Sequence, residues 1–133
     1  MSEEYTDLRK NRKHFKNALV AEQLFPFLVG RAYWLKSTVC YDEVARFLGY
    51  TRNLNGTTRG DARNLSRVLA HIYFYCIDQG YPPLTAIVVK ESTGKPGLEE
   101  LTEVDTYRAM DFPWYDKKLP SAFELNKAYQ EHK

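Results

Sequence analysis

Three segments in a fixed order constrain this chain more than anything else in it: a short amphipathic stretch, an arginine-rich amphipathic stretch, and an apolar run introduced by two prolines. In the first, Tyr41, Val44, Ala45 and Leu48 fall at i, i+3, i+4 and i+7, the spacing of one buried helical stripe, and Gly49 stands where a helix commonly stops. In the second, Asp61 offers an N-cap, and Leu65, Val68, Leu69, Ile72 and Cys76 form the apolar stripe of a helix reaching about residue 78. Gly80 closes that helix. Tyr81-Pro82-Pro83 then forces an extended exit, because proline lacks a donor and disfavours helix in the residue before it. Residues 84–89 read as a buried strand, 91–97 as a turn and 98–104 as the return strand of a hairpin.

Helix, basic helix and hairpin in this order predict an α+β winged helix-turn-helix, here with an extra N-terminal helix and an aromatic C-terminal extension. Residues 6–25 allow the extra helix, with Lys13 and Lys16 among the basic residues of its polar side, and Pro26 is expected to end or kink it. Residues 51–60, which include Asn55-Gly56, carry turn chemistry and read as a mobile loop. Ser121 followed by Glu124 resembles a capping box, which predicts a terminal helix over 121–130. At 133 residues, 44% of them hydrophobic, the chain fits one domain over 1–133, with a winged-helix core at about 27–104 and an extension at 105–133.

Several function classes are excluded at this level. The acidic opening Met1-Ser-Glu-Glu and the lack of any apolar run near the roughly 18 residues of a membrane span predict neither signal peptide nor transmembrane helix, and so a cytoplasmic location. Cys40 and Cys76 lie in apolar surroundings without CxxC spacing and are expected to be reduced, buried thiols. His14, His71 and His132 are too scattered for a metal centre or a catalytic dyad, and neither a glycine-rich phosphate loop nor HExxH occurs. No cofactor, no metal and no catalytic residue are expected.

The net charge of +2 hides an asymmetry: residues 1–97 carry 14 Lys/Arg against 9 Asp/Glu, whereas 98–133 carry 5 against 8. Between positions 44 and 75 stand Arg46, Arg52, Arg59, Arg63 and Arg67, with Asp61 the sole acid and no lysine. The planar guanidinium suits phosphates and guanine edges better than a lysine point charge, so duplex DNA is the expected partner. On the second helix Arg63, Asn64, Arg67 and His71 are expected to project from one exposed face, where arginine can bond guanine and asparagine adenine. Lys90 and Lys95 are expected at the hairpin tip, within reach of a phosphate. The rival expectation is a protein-interaction module of phage or mobile-element origin. In that reading the acidic aromatic tail, with Phe112, Trp114 and Tyr115, contacts a host protein or a second copy of the chain.

Tyr41-Asp-Glu-Val-Ala-Arg-Phe-Leu-Gly49, the long helix, and Tyr81-Pro-Pro followed by Ile87-Val-Val89 and Thr93-Gly-Lys95 together resemble the DNA-binding domain of O6-alkylguanine-DNA alkyltransferases and alkyltransferase-like proteins over residues 38–97. In that family a Tyr-Gly-Glu-Ile-Ala-like helix precedes a recognition helix, and a Pro-Cys-His-Arg-Val-Val active-site strand follows. Matching Val88-Val89 to the paired valines puts Leu84, Thr85, Ala86 and Ile87 where the family has Pro, Cys, His and Arg. The nucleophile and its activating histidine are therefore missing, and alkyl transfer, which needs an activated thiolate, is not expected. The resemblance implies the binding half alone, with Tyr41 and an arginine near the helix start where the family handles a flipped nucleotide. Residues 51–60 are longer than the family's turn.

Overall fold

A computed structural model of the protein describes residues 12–49, 52–53, 56–57, 59–97 and 100–132. Helical periodicity in the sequence becomes three long helices: α1 (Arg12–Val29), α3 (Arg59–Gln79) and α5 (Ala122–His132), which pack on one another pairwise. Leu24 and Leu28 of α1, Val68 and Ile72 of α3 and Leu125 of α5 are buried in one apolar cluster. Each such side chain contributes roughly 1.5–3 kcal/mol by leaving water.

Burial decides the fate of Pro26. The helix expected to end or kink there continues to Val29 and finishes in a π-turn, Gly30–Trp34, with the Leu35 N–H bonded to the Gly30 carbonyl at 3.2 Å. A proline inside a helix costs about 3 kcal/mol, and burying Leu24, Phe25 and Leu28 on either side of it outweighs that. Pro26 itself is exposed, so its ring meets water rather than the core.

Next in the chain come β1 (Val39–Cys40) and α2 (Tyr41–Phe47), whose Val44 and Ala45 are buried as the stripe predicts, and Gly49 ends the turn at φ +74°. The segment expected as a loop holds a short antiparallel pair, β2 (Arg52–Asn53) and β3 (Gly56–Thr57), with Arg52 opposite Thr57. α3 begins at Arg59, two residues before the expected Asp61 cap, and ends as expected at Gly80, φ +74°, where the Tyr81 N–H reaches the Cys76 carbonyl at 2.9 Å.

The expected wing is where the fold departs from the sequence reading. Leu84–Ile87 form a 3-10 turn, fully buried, with the Ala86 N–H bonded to the Pro83 carbonyl at 3.0 Å. A short buried apolar run has no exposed side, so its periodicity cannot separate strand from helical turn. β4 (Val88–Val89) follows and pairs in parallel with β1, Val39 against Val88 and Cys40 against Val89, rather than antiparallel in a hairpin. Beyond it, residues 90–95 make a tight turn whose return reaches only a Val89–Pro96 bridge. Leu98 and Glu99 of the expected return strand lie outside the described residues, and the end of that strand is instead the start of α4 (Glu103–Asp111). Asp105 there accepts from the Thr102 N–H at 2.9 Å, a helix start unread in the sequence. The fold is thus α+β, helices with a small parallel sheet.

α4 packs on the 3-10 turn, and its Thr106 hydroxyl donates to the buried Ala86 carbonyl at 2.7 Å. In the tail, Trp114 is 2% exposed, donates its indole N–H to the Ala109 carbonyl at 2.6 Å and meets Phe25 edge-on. The predicted box at α5 forms: the Ser121 N–H bonds Glu124 at 3.2 Å and the Glu124 N–H returns to the Ser121 hydroxyl at 3.3 Å. Glu22 of α1 accepts a further N–H, that of Ala122, at 2.7 Å. Among the described residues no helix is long and apolar enough to cross a membrane.

Candidate nucleic-acid interface

Because α3 is helical from Arg59 onward, positions 59, 63 and 67 stand at i, i+4 and i+8 along one side of it. The Arg67 side chain is exposed and Asn64 is half-buried. Lys16 of α1 is exposed too, while the side chains of Lys13, Arg52, Arg59 and Arg63 lie outside the described residues.

His71 does not belong to this face. It is 0% exposed, its Nδ1–H donates to the Arg67 carbonyl at 2.7 Å, and its ring stacks on Tyr129 of α5 with centroids 4.1 Å apart and planes within 3°. The helical spacing alone cannot reveal that α5 covers this side of α3, since the contact joins residues far apart in sequence.

Lys90 and Lys95 are exposed on the tight turn, joined through the Lys90 N–H and the Lys95 carbonyl at 2.9 Å. Their surroundings are not purely basic. Lys90 shares an open cleft of about 490 Å³ with Cys40, Asp42 and Glu91. Burial, and after it the carboxylates of Glu43, Glu91 and Asp42, pushes the Cys40 thiol pKa up. That local negative field works against a phosphate at this tip.

Tyr41 also borders a second cleft, of about 320 Å³. Its apolar walls are Leu69, Ala70, Tyr73 and Phe74 of α3, together with Tyr41. Ser66 and Glu100, both exposed, supply polar groups at its edge, and Thr85 of the 3-10 turn lines it from below the protein surface. Thr85 is 4% exposed, and its Oγ1 has no hydrogen-bond partner among the described residues. A buried hydroxyl without a partner costs about 1–3 kcal/mol.

Two features fix Tyr41 as a wall. Burial raises the pKa of its phenol, which therefore stays neutral and can both donate and accept a hydrogen bond. Gly97 lies against the ring so closely that a Cβ there would fall 1.8 Å from Tyr41 Oη, so only glycine leaves the ring where it is. Behind the cleft, Phe74 stacks on His132 with centroids 4.8 Å apart, and His132 Nε2 lies 2.6 Å from an Asp78 carboxylate oxygen, tying the end of α5 to this wall.

The arrangement suits a flat heterocycle that stacks and hydrogen-bonds. Neither cysteine lines this cleft, and burial pushes Cys76 up to about 12, far from a reactive thiolate. Among the described residues no group of three or more His, Cys, Asp or Glu is placed to hold a metal ion. Of the expected site residues, Tyr41 is the one brought into the cleft, where Thr85 joins it. Ser66, Tyr73 and Phe74 were missed because they sit beside the apolar stripe and read as its margin, and Gly97 and Glu100 because only tertiary structure brings them near α3.

The residues expected to meet a protein partner separate. Trp114 is in the core, and Phe112 is half-buried against it with ring centroids 4.7 Å apart. Tyr115 is 62% exposed and packs beside Tyr33 near Trp34, itself 72% exposed. Comparison with protein-family models, with curated proteins and with solved structures gave no match.

Proposed function

We propose that this is a non-catalytic, cytoplasmic DNA-binding protein of alkyltransferase-like type, which grips duplex phosphates along α3 and receives a base turned out of the duplex in the Tyr41–Thr85 cleft. The observation that carries this reading is the aromatic-walled cleft on the helix that bears the arginine row, lined also by Thr85, whose buried hydroxyl has no partner among the described residues. Arg59, Arg63 and Arg67, with Arg52 and the basic α1 residues Lys13 and Lys16, supply phosphate contacts, and Asn64 with Arg67 supplies any base preference. Turning out a base costs a few kcal/mol, least for a damaged one. Stacking in an aromatic site returns about 1–3 kcal/mol, and a hydrogen bond to Thr85 adds about 1 kcal/mol. The balance favours bases that already pair poorly, hence recognition of a lesion or modified base. With threonine where the alkyltransferases have cysteine, the bound base is held and not dealkylated.

Replacing Arg63 and Arg67 together by alanine tests the reading. The double variant should weaken duplex binding at least about tenfold and lower the salt slope by about 2, one phosphate contact each. Unchanged affinity would remove α3 as the binding helix.

A second reading draws on the exposed Trp34 and Tyr115, a surface fit for a protein partner. A Trp34→Ala, Tyr115→Ala variant that binds DNA as the parent chain does keeps the two surfaces separate.

A further inference from the structure

Resting on the DNA-binding reading above, we infer that the Tyr41–Thr85 cleft selects a positively charged base, one alkylated at a ring nitrogen, over neutral bases of the same shape. Its size, about 320 Å³, is at the small end of ligand sites, which run from roughly 300 to 1,000 Å³, and so fits one ring system rather than a stretch of strand. Tyr41, Tyr73 and Phe74 give it aromatic walls, and aromatic faces attract cations. Glu100 is the one charged side chain among its described lining residues, and no described lysine or arginine lines it. A cationic ring placed there gains from the carboxylate and the aromatic rings, a neutral ring gains only stacking, and an anion is repelled. Thr85 lines the cleft and its buried Oγ1 has no partner among the described residues, so a small shift of its side chain would let it bond an exocyclic amino or carbonyl group but not an alkyl group. Alkylation at a ring nitrogen of the Watson–Crick edge, as in 3-methylcytosine, also abolishes base pairing, so such a base leaves the stack at reduced cost.

The experiment is a set of fluorescence-anisotropy titrations of the full chain with three duplexes identical except at one position. That position holds 3-methylcytosine, which is cationic at neutral pH, or 3-methylthymine, which is neutral and equally unable to pair, or an unmodified base. The expected result is binding at least about tenfold tighter to the 3-methylcytosine duplex than to the 3-methylthymine duplex. Glu100→Gln should bring that ratio close to one, and Glu100→Asp, which keeps the charge, should preserve the preference. Thr85→Val should weaken both methylated duplexes by a similar factor. Equal affinity for the two methylated duplexes, or a preference that Glu100→Gln leaves intact, would overturn the inference while the DNA-binding reading stands. Failure to bind any of the three at low salt would remove that reading, and the inference with it.

Discussion

Thr85 and Gly97 show how single residues define the cleft. Thr85 is a buried residue of the 3-10 turn, with no partner for its hydroxyl among the described residues. A buried hydroxyl in that state lowers stability by about 1–3 kcal/mol. Gly97 acts through space rather than through conformation: a methyl group there meets the end of the Tyr41 ring, a movable neighbour. Gly97→Ala should therefore change thermal stability little, within about 1 kcal/mol. It should turn the ring and weaken binding to a duplex with a methylated, unpaired base. Calorimetry beside anisotropy checks both halves, and unaltered binding would mean that the orientation of Tyr41 is immaterial. Tyr41 was legible from the sequence as a candidate. Gly97 was legible only as a turn residue, because its role depends on a ring 56 positions earlier in the chain.

Elements with a local signature followed the sequence closely. The Tyr41, Val44, Ala45 and Leu48 stripe gave α2, Gly49 and Gly80 stopped their helices, and Ser121 with Glu124 started α5. Where burial surrounds a segment on all sides the local pattern carries less, as with Leu84–Ile87, read as strand and found as a 3-10 turn. The pairing of β1 with β4 joins residues 49 positions apart and has no local signal. Nor had the role of α4, which holds the 3-10 turn beneath the cleft through Thr106 and the Ala86 carbonyl. Thr106→Val keeps the shape and removes that donor, and it should lower unfolding free energy in urea by about 1–3 kcal/mol. Because Ala86 adjoins Thr85, the same variant should loosen base binding. Stability equal to that of the parent chain would show that α4 does not anchor the turn.

At the scale of the molecule, three packed helices present one side of α3 outward and cover another. The covered side takes His71 under Tyr129 of α5, so the polar face read from sequence narrows to Asn64, Arg67 and the arginine positions before them. Charge is uneven along the chain, with a basic excess in residues 1–97 and an acidic excess in the last 36 residues. DNA binding by α3 is measured most directly by titrating the purified chain against a mixed-sequence duplex at several salt concentrations, followed by anisotropy. With four to six phosphates contacted, log K should fall linearly with log salt at a slope of about −4 to −5. Binding that is absent at low salt, or indifferent to salt, would contradict the account and leave the arginines of α3 as ordinary surface charge.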